Sequence, residues 1–494
     1  MSGRTTDDGR PTTGEGSNVV SGGPSSFVRR LLNRPLVLLI ALFIVLAPLA
    51  TKRIYASDEI KYFAYTHSLF FDHDLDFSND YYHWYQADPV KFKAIYTDLL
   101  QTRERLTGLP TNEAPIGTGL FWMPSYALAH VYALTANALG VNVQADGWSD
   151  PYIWAVCLTS YLFGCLGLLL CWSLAKDFFG KRLSAFAVVV IWFSTSLVFY
   201  TVIAPPWSHA TSLLAVTLFI WYWHRTRKTE GRLWWQWALL GVLGGVLMLV
   251  REQDALFLII PGLEALVALV MLWRERKPGW LVHARRWVFG VIVMGAAAFV
   301  AFIPQLIAYK VITGRFGPSQ VVAGKLNWTS PNFFNVLFNP EHGMIPWTPI
   351  IAVCLIGLAF FWRRDRLFAG ALAVAFFLQV YVAGSFLTWQ SASSFGQRRF
   401  INCTLLFVLG LAAILSWAIA RGVPRWIVVA VPVLFVLWNA GLLMQYALWC
   451  SPQRQGLDWA TVLKGQMEIP LKAPGLVWDF LFNRASFYRK LPTC

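Results

Sequence analysis

The segment Ser57-Asp58-Glu59-Ile60-Lys61-Tyr62-Phe63-Ala64-Tyr65 directly follows the first long apolar run of the sequence, residues 35–51. Two adjacent carboxylates therefore stand where a membrane helix should emerge into water. A second acidic and aromatic run follows at residues 71–81, in which Asp72, Asp74, Asp76 and Asp80 are expected to be mostly turn-forming residues of a solvated loop and not metal ligands. No other part of this apolar chain places so many ionisable groups so close together. We therefore expect Asp58 and Glu59 to lie at the functional centre of the protein.

The composition indicates an all-α polytopic membrane protein. Hydrophobic residues make up 56% of the chain and charged residues only 14%, whereas a soluble domain carries about 25% charged residues. The formal net charge is +15, but Lys and Arg fall in short clusters between apolar runs. Such clusters mark cytoplasmic loops under the positive-inside rule and form no basic groove, so nucleic acid is not an expected partner.

The spacing of apolar runs predicts about eleven transmembrane helices, each near the ~20 residues that cross a bilayer. Basic clusters at every second connection place the N-terminus in the cytoplasm and the C-terminus outside the cell membrane. The segment 115–140 is apolar enough to cross, but a crossing there would move every later basic loop outside. We therefore expect 115–140 to lie in the outer interface; if it crosses, the count becomes twelve or thirteen. The predicted spans are 35–51, 151–175, 183–201, 207–224, 233–250, 254–273, 287–312, 344–362, 367–387, 400–420 and 425–448.

This topology divides the chain into a basic tail, a membrane domain and a second tail. Residues 1–34 should form a disordered cytoplasmic tail, because they are rich in Gly, Ser, Thr and Pro. The transmembrane domain extends over 35–448, with outer loops at 52–150 and 313–343. Residues 449–494 form an extracytoplasmic tail, in which Cys450 and Cys494 either pair or remain free thiols.

Other ionisable residues fall at the predicted outer ends of the spans. Glu113 precedes a Pro-Gly turn that should bring its carboxylate back towards the membrane. Two adjacent arginines at 398–399 run against the positive-inside rule, so they need a negative partner outside, and Arg binds phosphate well. Each of these features also has a structural reading, as a helix cap, a turn or an ion pair such as Arg251 with Asp254 or Glu252. The candidate binding residues are His209, Arg251, His342, Gln397, Arg398 and Arg399.

Together these features resemble the GT-C superfamily of glycosyltransferases that use polyprenyl-phosphate sugars, near the protein O-mannosyltransferase and aminoarabinose transferase families. The resemblance rests on Asp58-Glu59, on Pro115-Ile116-Gly117 and on the segment Lys176-Asp177-Phe178-Phe179-Gly180-Lys181-Arg182. It implies a large first outer loop with interfacial helices and an acid that acts as base or metal ligand. Asp58 matches that acid, and Glu113 matches a later loop acid. Ala114 departs from the pattern, because aminoarabinose transferases have a lysine there.

The implied reaction moves a sugar from a polyprenyl-phosphate donor to a glycan, lipid or protein acceptor at the outer membrane face. The catalytic candidates are Asp58, Glu59 and Glu113, with Asp58 as base, arginines on the lipid phosphate and inversion at the sugar carbon. Carboxylates suit Mg or Mn, so a divalent cation held by Asp58 and Glu113 is the cofactor alternative to metal-free transfer.

Two other classes of membrane protein remain as alternatives. A lipid or glycan flippase would need charges inside its spans, whereas here only Glu264 and Lys310 are so placed. An O-antigen ligase or polymerase would concentrate function in a late outer loop.

Overall fold

The computed structural model describes residues 34–89, 93, 96–227, 231–391, 394–449 and 456–483. Throughout these ranges the regular structure is helical, with two isolated bridges and no strand. The predicted all-α class is therefore confirmed. Nearly all of the predicted N-terminal tail, together with Cys450 and Cys494, lies outside the described residues.

Every predicted span coincides with a helix. The long helices are α1 Pro35–Leu46, α2 Ser57–His67, α3 Ser78–Ala87, α4 Gly117–Ala138, α5 Asp150–Phe179, α6 Lys181–Ser194, α7 Ser208–Thr226, α8 Trp234–Val250, α9 Ile259–Glu275 and α10 Trp280–Thr313. Three short helices follow, α11 Gln320–Ala323, α12 Phe333–Phe338 and α13 Met344–Trp347. The long helices then continue with α14 Ile350–Phe361, α15 Arg366–Ser385, α16 Thr404–Ala420, α17 Arg425–Trp449 and α18 Trp459–Phe482.

Length and hydropathy identify the membrane helices. Within the described ranges, six helical segments are long and apolar enough to cross a bilayer, and three apolar helices are shorter. The protein is therefore a multi-span membrane protein, while the count of eleven and the orientation stay predictions. Helix α4 is 22 residues long but is not one of the six, and its placement in the interface stays a prediction.

Helix α18 is an element that the sequence did not predict. It contains Pro470 and Pro474, which would normally interrupt a helix. The helix packs on α17 through side-chain amides: Gln466 donates to the Trp438 carbonyl at 3.0 Å, and the buried Gln445 donates to the Val462 carbonyl at 3.2 Å. Tertiary packing thus outweighs the local sequence signal.

Two close approaches hold α4 in place, one on the membrane helix α8 and one on α2 of the same large loop. A Cβ at Gly117 would lie 2.4 Å from the backbone of Leu249 in α8. One at Gly119 would lie 2.8 Å from the Cβ of Tyr65 in α2. Helix α4 therefore packs against both helices with glycine at each contact. This arrangement brings the turn around Glu113 beside α2.

We expect Gly117→Ala to lower the stability of the purified protein by about 1–3 kcal/mol, the usual cost of overpacking. Gly295→Ala is the matched control, because a Cβ there has open space around it in the middle of α10. Thermal unfolding in detergent should show a lower midpoint for Gly117→Ala only. An unchanged midpoint would mean that α4 is not held tightly on α8.

Candidate active site

Asp58 lies in the first turn of α2 and has two cationic partners. Nη2 of Arg398 donates to its Oδ2 at 2.9 Å, and Nζ of Lys61 is 3.7 Å from its Oδ1. One third of the Asp58 side chain stays exposed (34%). Burial of the rest would raise the pKa of Asp58, but Arg398 and Lys61 overcome that effect and hold the pKa below its usual value. Asp58 is therefore an ionised, accessible carboxylate at neutral pH.

Glu59 has different surroundings from its neighbour. Its side chain is completely buried, and its Oε2 accepts from the backbone N–H of Tyr55 at 2.7 Å and of Ala56 at 3.0 Å. The start of α2 is thus capped by Glu59, the third residue of the helix. Burial raises the pKa of Glu59 to about 7, although the two backbone hydrogen bonds oppose this shift.

Glu113 completes a row of alternating charges. Its Oε2 lies 3.5 Å from Nζ of Lys61, and its Oε1 accepts from Nζ of Lys325 at 2.5 Å. Burial works against ionisation, but both lysines hold the pKa of Glu113 below its usual value. The row runs Arg398, Asp58, Lys61, Glu113, Lys325, and we call it the charge row. It joins α2, the turn before α4, the loop before α12 and the segment before α16.

Lys61 and Lys325 were missed by the sequence reasoning. Lys61 lies three residues after Asp58 and therefore on the same helix face, a signal that was available. Both neighbouring carboxylates raise the pKa of Lys61, against the effect of its burial. Lys325 carries no such signal, because it stands in a long outer loop with no nearby acid in sequence.

The positions of the charge-row residues affect whether Asp58 and Glu113 could bind the expected Mg or Mn ion together. A divalent cation held by both Asp58 and Glu113 would need the space between their carboxylates, which the Lys61 ammonium occupies at 3.7 and 3.5 Å. The space between the carboxylates of Asp58 and Glu113 therefore suits an ammonium group better than a metal ion. The cofactor expectation stays a prediction, and no step below depends on it.

The segment before α16 contains two arginines that make different contacts. The Arg398 guanidinium lies 4.2 Å from the ring centroid of Trp207, which packs it beside Asp58. Arg399 donates to the carbonyls of Thr388 and Trp389, each at 3.0 Å. Arg398 therefore faces the acid, whereas Arg399 also ties its own segment to the preceding loop.

His209 and Arg251 form a second, adjacent pair. Nη1 of Arg251 lies 2.6 Å from Nδ1 of His209, and arginine can only donate, so Nδ1 is the acceptor and Nε2 carries the proton. Buried Nε2 has no hydrogen-bond partner among the described residues. The alternative role of Arg251, an ion pair with Asp254 or Glu252, is not seen among the described residues; Asp254 instead accepts from Ser212 at 2.6 Å and Asn402 at 2.8 Å.

His342 and Gln397 are hydrogen-bonded to each other. Nε2 of Gln397 donates to the His342 carbonyl at 3.1 Å. Nε2 of His342 donates to the Ser394 carbonyl at 3.0 Å, which leaves Nδ1 as a buried acceptor with no partner in the described part of the chain. Burial lowers the pKa of His342 to about 4, so the ring is neutral.

The acids of the 71–81 run divide into two groups. Asp74 and Asp76 close turns, since they accept from the backbone N–H of Asp76 and Ser78, each at 3.0 Å. This agrees with the expected turn-forming loop. Asp80 differs: it is wholly buried, which raises its pKa to about 6, so the expectation of a solvated side chain is wrong there.

Comparison with known proteins supports the predicted family. Residues 149–307 match the sequence profile of the dolichyl-phosphate-mannose-protein mannosyltransferase family, which is about a third of the chain. This segment contains His209 and Arg251 but neither carboxylate of the charge row. The predicted resemblance to the GT-C superfamily is confirmed over this segment.

Among solved structures, the chain is similar to ArnT from Cupriavidus metallidurans in the apo state. The identity is 15%, the TM-score is 0.44, and the match covers 83% of this chain and 71% of that one. No curated protein sequence matches the chain.

The raised pKa of Glu59 predicts a pH-dependent stability. The folded protein keeps this proton up to about pH 7, whereas the unfolded chain releases it near 4.5. The contribution of Glu59 should therefore be fully present below pH 4.5 and be lost as the pH rises towards 7. We expect Glu59→Gln, which keeps an acceptor oxygen, to show a smaller fall in thermal midpoint between pH 5 and pH 8. Equal slopes for the variant and the parent protein would contradict the assignment.

Proposed function

We propose that this GT-C-type membrane protein transfers a sugar from a polyprenyl-phosphate donor to an acceptor hydroxyl at the extracytoplasmic face. Asp58 would be the base, and the cations of the charge row would bind the lipid phosphate. The observation that carries the proposal is the pairing of Asp58 with Arg398 at 2.9 Å, on an accessible carboxylate at the start of an interfacial helix.

The balance of charge in the row favours an anionic ligand. Three cations, Arg398, Lys61 and Lys325, face two carboxylates, Asp58 and Glu113. The row alone thus has one positive charge in excess, and Arg251 adds a second nearby. A phosphate bound there would neutralise this excess, and guanidinium is well suited to phosphate oxygens.

The reaction needs a base but no acid. Asp58 would remove the proton from the acceptor hydroxyl as its oxygen attacks the anomeric carbon from the face opposite the phosphate. The bond between that carbon and the phosphate oxygen breaks, and its electron pair leaves with the polyprenyl phosphate. The leaving group is a stable anion, so no proton has to be donated to it, and the configuration at carbon inverts.

The charge row would couple the two halves of this reaction. While Asp58 is ionised, Arg398 and Lys61 are its counter-ions. Once Asp58 holds the proton, Arg398 loses its carboxylate partner and Lys61 keeps only Glu113, while the departing phosphate gains negative charge. Their attraction would then shift to the phosphate without any large movement, as preorganised electrostatic stabilisation requires.

The missing lysine at position 114 is compatible with this proposal. Ala114 is buried and places no cation in the site. Lys61 and Lys325 reach the adjacent Glu113 from α2 and from the loop before α12. We therefore assign to these two lysines a share of the phosphate binding that the sequence analysis gave to arginines alone.

The charged residues inside the spans favour an enzyme over a flippase. Glu264 accepts from Arg232 at 2.7 Å and from the indole N–H of Trp223 at 2.8 Å. Lys310 donates to the carbonyl of Gly314 at 2.8 Å, one turn away. Both groups thus have fixed partners in the protein, whereas a transport path needs charges facing a cavity near the bilayer centre.

We expect Asp58→Asn to lower sugar transfer by about 10²–10⁴-fold, the usual contribution of a positioned base. The measurement is transfer or hydrolysis of a panel of polyprenyl-phosphate sugars by the purified protein. Asp76→Asn is the matched control, because that acid closes a turn in the same loop. Near-normal transfer by a folded Asp58→Asn variant would exclude Asp58 as the base, and donors left unchanged by the parent protein would favour a transporter.

A second prediction concerns the acid side of the pH–rate profile. Arg398 holds the pKa of Asp58 down against the effect of burial, so Arg398→Gln should raise it and move the fall in kcat/KM to higher pH. The same variant should bind donor more weakly. Arg363→Gln is the control, since its guanidinium lies on Phe360 at the far end of α14. An unchanged acid limb with reduced activity would mean that Arg398 does not interact with the base.

A further inference from the structure

Three ionisable side chains meet at the end of α2 that is remote from Asp58. His67 is the last residue of α2, about 14 Å along the helix from Asp58 at 1.5 Å per residue. Nδ1 of His67 lies 3.0 Å from Oδ1 of Asp80 and 3.5 Å from Oδ2 of Asp72. One potential ligand atom from each side chain lies within 4.8 Å of the others. We call these three residues the His67 triad.

The spacing of these atoms is that of ligands around one metal ion. Metal–nitrogen and metal–oxygen bonds near 2.1 Å place neighbouring ligand atoms about 3.0 Å apart in an octahedral site and about 3.4 Å apart in a tetrahedral one. The distances from Nδ1 of His67 to the two carboxylates, 3.0 and 3.5 Å, fall at these values, and all three ligand atoms lie within 4.8 Å of one another. A small divalent ion could therefore reach all three side chains if the two carboxylates turned towards it.

The buried members of the triad lack other partners. Asp80 is 0% exposed and His67 is 3% exposed. Oδ1 of Asp80 approaches Nδ1 of His67 at 3.0 Å, but Oδ2 of Asp80 has no hydrogen-bond partner among the described residues. An unsatisfied acceptor on a buried carboxylate is costly. A bound cation would remove that cost.

Neighbouring groups hold the ligands in place. Nδ2 of Asn79 donates to Oδ2 of Asp72 at 3.0 Å. The His67 ring stacks on Trp148 with 3.6 Å between ring centroids, and His83 stacks on the other face of Trp148 at 4.1 Å. Oriented carboxylates and fixed imidazole rings are typical of the surroundings of protein metal sites.

Two members of the triad, His67 and Asp72, line a pocket of about 510 Å³, whereas Asp80 lies buried behind them. Tyr82, Gln86 and Asp146 line this pocket together with Trp148. A metal ion bound by three protein ligands would thus keep coordination positions for water or for a hydroxyl ligand.

We infer that His67, Asp72 and Asp80 form a binding site for a divalent transition-metal ion, of which Mn²⁺ and Zn²⁺ are the best match. The imidazole nitrogen favours these ions over Mg²⁺ and Ca²⁺, which prefer oxygen ligands throughout. The site ties the loop 68–80 to the end of α2. It is separate from Asp58 and Glu113 and does not depend on the proposed reaction.

The test measures metal binding directly on the purified full chain after treatment with a chelator. Mn²⁺ is added, and bound ion is counted by electron paramagnetic resonance, with Zn²⁺ as competitor. We expect one bound Mn²⁺ per chain, displaced by Zn²⁺, and a higher thermal unfolding midpoint with metal. Asp80→Asn and Asp72→Asn should each weaken binding at least tenfold.

Two controls make the outcome decisive. Asp76→Asn removes a charge from the same loop without touching the triad, and Asp58→Asn removes the other candidate metal ligand; both should bind Mn²⁺ normally. Asp72 is exposed, so Asp72→Asn should remain folded even if Asp80→Asn does not. Absence of stoichiometric binding, unaltered binding in Asp72→Asn, or loss of binding in Asp58→Asn would overturn the inference.

Discussion

The ion pairs of the charge row are the interaction on which the candidate active site depends. Removing a buried charge from water costs several kcal/mol, and the attraction of its partner repays this only when the geometry is good. Lys61 is in this position: 12% of its side chain is exposed, and it lies between two carboxylates. Loss of either carboxylate would leave a poorly solvated ammonium. The row therefore fixes both the positions of the side chains and their charge states.

Helix packing makes this row possible. Its members come from segments more than 300 residues apart in sequence, as the separation of Asp58 and Arg398 illustrates. Glycine at position 117 lets the start of α4 reach the backbone of α8, and glycine at 119 lets it reach α2. The turn that carries Glu113 is thus held between two helices that are themselves packed in the bundle. The same arrangement brings Arg251, at the end of α8, towards the site.

Hydropathy and charge predicted much of this architecture, because lipid imposes strong constraints on a sequence. Apolar runs located the membrane helices, and the arginines at 398–399 stood out by violating the positive-inside rule. The charge row's lysines did not stand out. Lys325 is an ordinary loop residue until tertiary structure brings it within 2.5 Å of Glu113. Asp80 likewise belongs to a run of similar acids, and only packing separates it from its exposed neighbours. Local sequence patterns indicate solvent exposure and helical periodicity, but they do not indicate which distant side chains come into contact.

Helix α2 connects the two clusters of ionisable groups in the first large loop. Its first turn carries the carboxylate of Asp58, and its last residue carries the imidazole of His67. Aromatic packing of Phe63 against Trp84, Tyr126 and Trp148 holds the helix between them. Since a short α-helix is stiff along its axis, a change in how His67 is held would be transmitted as a shift or tilt at Asp58. A shift of 1 Å is large for a proton transfer that needs hydrogen-bond contact. Attachment of the loop 68–80 to His67 would therefore also help to keep Asp58, the proposed base, at hydrogen-bond distance from Arg398.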